Sequence, residues 1–134
     1  MTTARKIYVV DTNVILRWLI RDHEAYFERA ARFWNEVREE RCSAHVPEGI
    51  LVECFFVLTK SYRVPRAEAA LQLQRLLSMR AVTMDARAVA LAALDLLLRR
   101  NISIADALVI AHAAANDASI QSFDEDLIKA ARSG

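Results

Sequence analysis

The chain has 134 residues, of which 54% are hydrophobic and 26% charged, and its formal net charge is +1 at pH 7. This composition excludes a disordered chain, and the length predicts a single domain over residues 1–134. So small a charge argues against a protein that coats nucleic acid non-specifically, and no apolar run reaches the roughly 20 residues of a membrane span. The first residues lack the apolar core of a signal peptide, which favours a cytoplasmic location.

Strand and helix patterns alternate along the chain. Buried, β-branched or aromatic runs predict strands at residues 7–10, 42–46, 81–84 and 120–123. Apolar periodicity predicts helices from the end of the first strand to about residue 20, then at 24–40, 49–62, 67–79, 86–100, 104–115 and 124–134. Parallel strands need crossover connections, which these helices supply. The fold class is therefore α/β, a three-layer α/β/α sandwich with a short parallel central sheet.

Three acidic residues lie where helices begin. Asp11 ends the first strand in YVVDTNVILRWL, Asp106 lies three residues after Ser103, and Asp124 follows the last predicted strand. Each position suits a helix cap or first turn. The carboxyl ends of parallel strands are also where ligands bind in open α/β sheets. From the residues alone, both interpretations remain open.

Glu53 has no such alternative as a cap, because it lies in the middle of the helical run ILVECFFVL. The apolar residues around it predict a helix that is buried nearly all round. A buried carboxylate needs a metal ion or a basic partner, for which Lys60 and Arg17 are the candidates. Several carboxylates together suit phosphodiester hydrolysis with Mg²⁺ or Mn²⁺, since hard oxygen ligands hold these ions.

Four motifs resemble those of PIN-domain nucleases, in particular the VapC-type toxins of toxin–antitoxin systems. They are VVDTNVILRWL, ILVECFFVL, IADALVIAHAA and SFDEDL, which together span nearly the whole chain. The resemblance implies an acidic catalytic set and a metal site within it. The catalytic set is Asp11, Glu53, Asp106 and Asp124, of which Asp11, Asp106 and Asp124 are the metal ligands, with Asn13, Ser122 and Asp126 in supporting positions.

The same resemblance implies an activity and partners. It implies an endoribonuclease that depends on Mg²⁺ or Mn²⁺, cleaves RNA, forms a homodimer and is inhibited by a cognate antitoxin protein. Where relatives often have a glycine-containing turn, this chain has AAANDAS, so we expect Asn116 or Asp117 to adopt a left-handed backbone conformation.

Two other functions are compatible with parts of the pattern. A PIN-like scaffold could bind RNA or a protein without cutting, although such a scaffold has no physical need for Glu53. A phosphatase with an aspartate nucleophile usually has the pattern D-x-D, and Asn13 occupies its third position here.

The apolar side chains Trp18, Phe27, Trp34 and Val37 lie in the first two predicted helices. They predict an interface for a second copy or an amphipathic antitoxin segment if they are exposed, and a core if they are not.

Overall fold

The computed structural model describes residues 5–133, which form a parallel sheet and the helices around it. The strands are β1 (Lys6–Val9), β2 (Cys42–His45) and β3 (Val82–Thr83). The helices are α1 (Thr12–Leu19), α2 (Glu24–Arg38), α3 (Glu48–Lys60), α4 (Arg66–Leu77), α5 (Arg87–Arg99), α6 (Ile104–Ala115) and α7 (Glu125–Arg132). This is the predicted three-layer α/β/α fold. Among residues 5–133, no helix has both the length and the apolar character needed to cross a membrane.

The sheet has the order β1-β2-β3, and both pairings are parallel. Lys6 is opposite Cys42, and Ala44 is opposite Val82, so β2 is the central strand. Ala44 and Val82 are fully buried. Since all strands run the same way, the residues that follow β1 and β2 emerge at one edge of the sheet, where α1 and α3 begin.

The predicted strand at 120–123 does not form. Within residues 5–133 the sheet ends at three strands, and Phe123 is 99% exposed. The reason is local: the Asp124 backbone N–H donates to Ser122 Oγ at 2.9 Å, and this turn competes with an extended strand. A polar pair, Gln121 and Ser122, also leaves the segment little apolar surface to bury.

The missing fourth strand leaves β1 at the edge of the sheet. Ile7 is 65% exposed and Val9 is 70% exposed, so the prediction of a fully buried first strand is wrong. Burial begins at Val10, whose backbone N–H donates to the His45 carbonyl at 3.1 Å.

Two of the apolar residues proposed for an interface, Trp34 and Val37, lie in the core. Trp34 and Val37 are fully buried, and the Trp34 indole donates to the Val14 carbonyl at 2.9 Å. Trp18 stacks on Trp34 with the ring centroids 5.1 Å apart. The hypothesis that Trp34 and Val37 form an interface is therefore wrong, because both side chains are buried in the core.

Candidate functional site

Asp11 lies directly after β1 and caps α1. One carboxylate oxygen, Oδ1, accepts a hydrogen bond from the Val14 backbone N–H at 3.2 Å. The other oxygen accepts no hydrogen bond from residues 5–133. The side chain is exposed at the carboxyl edge of the sheet. Capping and ligand binding are therefore compatible at Asp11, because the cap occupies one of its two oxygens.

Glu53 is exposed, and the prediction that its helix is buried all round is wrong. In α3, Gly49, Glu53, Phe56 and Lys60 recur at helical spacing and form an exposed stripe. The apolar residues Ile50, Val52 and Val57 beside the stripe are only half-buried. Their residue types alone do not predict this exposure. The buried ion pair is also ruled out, since within the described chain no basic side chain lies within salt-bridge distance of Glu53, and Arg17 pairs with Asp22 at 3.3 Å.

Thr12 connects the two carboxylates. Its hydroxyl donates to Glu53 Oε2 at 2.6 Å, a short contact that joins the first turn of α1 to the middle of α3. A hydrogen bond to a charged acceptor is stronger than a neutral one and restricts its orientation. The sequence did not predict this contact of Thr12. The one feature that could have indicated a role for Thr12 is its position next to Asp11.

The thiol of Cys54 lies near the negative charges of Glu53 and Asp11. Burial raises the pKa of its thiol to about 12, and the nearby charges of Glu53 and Asp11 add to the shift. The thiol therefore stays protonated at neutral pH, which leaves it unreactive as a nucleophile. Both carboxylates lie close enough to Cys54 to act on it, which places them on the same side of the molecule.

Asp106 lies in the first turn of α6 and is half-buried. The preceding Ser103 is the helix cap, as predicted, and its hydroxyl accepts from the Asp106 backbone N–H at 3.0 Å. The far end of the same helix reaches α3, where His112 Nε2 lies 3.1 Å from Glu48 Oε2. Helix α6 is thus fixed against α3, the helix that contains Glu53.

Asp124 caps α7. Its Oδ1 accepts from the backbone N–H groups of Asp126 at 2.9 Å and Leu127 at 3.2 Å. The supporting residues Ser122 and Asp126 belong to the same turn, whereas Asn13 lies in α1 beside Asp11. Asp117 has a φ of 49°, which confirms the expected left-handed conformation before this segment.

The four acidic residues are not gathered into one cluster. Within residues 5–133, no three His, Cys, Asp or Glu side chains lie close enough together to hold a metal ion. Asp11 and Glu53 meet through Thr12, whereas Asp106 and Asp124 lie at the starts of two other helices. Carboxylate oxygens are the donors that Mg²⁺ prefers, and one or two protein carboxylates completed by water commonly hold this ion.

Two of the cavities among residues 5–133 bear on the choice of a site. The larger, of ≈ 900 Å³, lies between α5, α6 and α7 and is lined mostly by alanine and other apolar side chains. The smaller, of ≈ 550 Å³, adjoins Asp11 and has basic and aromatic walls. Ligand sites combine an apolar cavity with a few convergent polar groups, so the smaller cavity has the character of a functional site.

Comparison with known proteins gives one family. A family model described as PIN domain matches residues 8–133. A search of curated proteins and a search of solved structures return no match.

Proposed function

Since the chain belongs to the PIN domain family, whose members are generally nucleases, we propose that it is an endoribonuclease that hydrolyses RNA phosphodiester bonds. The observation that supports this most directly is the hydrogen bond from Thr12 to Glu53 beside Asp11. It orients an exposed carboxylate at the edge of the sheet where α/β proteins bind ligands. Glu53 neither caps a helix end nor forms an ion pair within residues 5–133, which leaves its charge available to a ligand.

Asp11, Glu53, Asp106 and Asp124 are the proposed catalytic residues, with Asn13, Ser122 and Asp126 in support. PIN domains generally use divalent metal ions. We assign Mg²⁺ or Mn²⁺ to Asp11, Asp106 and Asp124 on the chemistry of their oxygens, which these ions prefer. The described arrangement does not gather three of these residues, so metal dependence rests on family membership and donor type.

The test is RNA cleavage by the purified protein. Total RNA is incubated with and without Mn²⁺, and the new ends are mapped. We expect defined ends that appear only with metal and that disappear in the Glu53→Gln variant. The matched control is Glu68→Gln, which removes the same charge from an exposed position in the first turn of α4. Absence of cleavage by the wild type with either metal would refute the proposal.

A second candidate function is a scaffold that binds RNA or a protein without cutting it. One observation favours it, namely that the acidic residues of the described chain do not converge on a metal site. The same experiment separates the two, because a scaffold retains RNA on a filter but leaves its length unchanged with Mn²⁺.

The proposed biological role is that of a toxin restrained by a cognate antitoxin protein. The support is the resemblance of four motifs to VapC-type toxins and the exposure of Phe56 (56%) and Phe123 (99%), which a partner would cover. Expression of the wild type alone should stop growth, and co-expression of the neighbouring reading frame should restore it. Growth that continues while active protein accumulates would contradict this role.

We also propose a homodimer formed by one domain, residues 1–134, from each copy. The exposed apolar side chains of Ile7 and Val9 on an unpaired edge strand support association. Val9→Lys should lower the mass measured by light scattering if β1 forms the interface. An RNA substrate and two buried free thiols, Cys42 and Cys54, favour action in the reducing cytoplasm.

A further inference from the structure

The cavity beside Asp11 has two kinds of wall. It lies between the end of β1, the first half of α1 and the first half of α2, and its volume of ≈ 550 Å³ is within the range of about 300–1,000 Å³ usual for ligand pockets. The side chains used below are Tyr8, Asp11, Arg17, Tyr26, Arg29 and Phe33.

The aromatic wall of the cavity packs against the hydrophobic core through Phe33. Tyr8 is 39% exposed and meets the Phe33 ring edge to face, with centroids 5.5 Å apart and planes at 85°. Phe33 in turn meets the fully buried Trp34 at 5.0 Å. On the opposite side, Tyr26 is 46% exposed. The Tyr8 and Tyr26 rings are thus partly exposed at a cavity whose inner wall is fixed by the core. Lys6 Nζ lies 4.9 Å from the Tyr8 ring centroid, and the His23 ring lies 4.5 Å from the Tyr26 ring, so a stacked base displaces one of these exposed neighbours.

The basic wall lies over Tyr26. The guanidinium carbons of Arg17 and Arg29 are 5.1 Å and 5.9 Å from the Tyr26 ring centroid, within the range of a cation–π contact. Arg17 is held by Asp22, which also accepts a hydrogen bond from the Tyr62 hydroxyl at 3.1 Å. Arg29 is exposed and has no acidic side chain within salt-bridge distance among residues 5–133. Its charge is therefore open to a ligand.

We propose that this cavity binds one unstacked nucleotide of a single-stranded RNA, next to the phosphodiester bond presented to Asp11 and Glu53. The base stacks on Tyr26 and Tyr8, and the phosphate of that nucleotide pairs with Arg29. This inference rests on the proposed nuclease function, which it makes more specific by naming the form of RNA and the residues that grip it.

The chemistry of the walls selects this occupant. Proteins that recognise RNA sequence-specifically mostly bind single strands. The unpaired bases of these strands stack on aromatic rings or on arginine guanidinium planes. A base inside a duplex is covered on both faces and cannot enter. The chain has a net charge of only +1, so phosphate must be bound by a local cation, which Arg29 provides.

Binding can be measured apart from cleavage. A short fluorescein-labelled single-stranded RNA of mixed sequence is titrated with protein in a chelator, followed by anisotropy, and checked for intact length. We expect Tyr26→Ala to weaken binding about tenfold, as loss of base stacking does, while Tyr26→Phe binds like the wild type. Arg29→Gln should weaken binding and reduce the dependence on salt by about one released counterion.

The matched control is Arg32→Gln, which removes the same charge one helical turn away on α2 but outside the cavity lining. We expect it to change the affinity less than Arg29→Gln does. A labelled duplex of the same sequence should bind weakly. Melting temperatures of the variants close to that of the wild type show that lost binding is not lost folding, since Tyr26 and Arg29 are exposed.

The outcomes separate this inference from the proposed function. If the wild type cleaves RNA while Tyr26→Ala and Arg29→Gln bind RNA normally, the cavity assignment is overturned and the nuclease stands. If binding requires both residues but Mn²⁺ gives no cleavage, the nuclease fails and the cavity assignment stands. Equal affinity for the single strand and the duplex would also overturn the cavity assignment. So would variants that bind RNA normally but no longer bind a co-expressed protein partner.

Discussion

Replacing Glu53 by Gln distinguishes a catalytic carboxylate from a structural one. The substitution keeps the size of the side chain and an oxygen that accepts from Thr12, and it removes only the charge. Because Glu53 is exposed, the loss of the charged partner should cost less than about 1 kcal/mol. For a chain of 134 residues this lowers the melting temperature by about 4 °C or less. A buried ion pair would instead have cost about 3–5 kcal/mol.

The assay pairs thermal unfolding with RNA cleavage in Mn²⁺. We expect an almost unchanged melting temperature together with a loss of cleavage of about a hundredfold or more, since the charge is needed only at the site. Thr12→Val, which frees the carboxylate without removing it, should give a smaller loss of cleavage. A melting temperature lowered by well over 10 °C, or cleavage equal to that of the wild type, would show that this reasoning is wrong.

Three further predictions concern stability. Trp34→Ala should cost about 3–5 kcal/mol in urea unfolding, because it empties a fully buried site and removes the bond to Val14, and Trp34→Phe should cost clearly less. The Cys54 thiol, with a folded pKa of about 12 against an ordinary 9.0, contributes stability that is complete below pH 9.0 and decreases at higher pH by about 1.4 kcal/mol per unit. The stability of Cys54→Ala should therefore decrease less above pH 9.0 than that of the wild type. Identical dependence of the unfolding free energy on pH in the two proteins would contradict this prediction. Asp124→Ala should lower stability by about 0.5–2 kcal/mol through loss of the cap, whereas Asp124→Asn should lower it less in thermal melts. A higher melting temperature for Asp124→Asn would indicate repulsion between carboxylates instead.

The order of the elements could be predicted because each depends on local pattern. The apolar stretch before Asp11 and the cap at Ser103 each fix a boundary with residues that are neighbours in sequence. The strand at 120–123 could not be judged in this way, because a strand needs a partner edge as well as a pattern. Its residues are instead occupied by the turn in which Ser122 accepts from Asp124.

The acidic residues of the site could be named from the sequence, but their exposure and their neighbours could not. The sequence singles out Glu53 because no other interior position of that apolar helix before Lys60 has a side chain that is charged at neutral pH. Its exposure depends on which face of the helix α1 and α4 cover. Thr12, Tyr26 and Arg29 have ordinary local patterns, and their roles arise from contacts between separate elements. Only the folded chain shows that the first turn of α1 adjoins both the carboxylates and the cavity.

The stacked tryptophans give the molecule a built-in optical signal. Trp18 and Trp34 are the only two tryptophans in the chain, and they touch at the contact between α1 and α2. Fluorescence excited selectively at tryptophan therefore reports on this one contact and not on an average over the fold. Because Phe33 connects Trp34 to the cavity wall, a ligand that enters the cavity should alter the emission without any added dye.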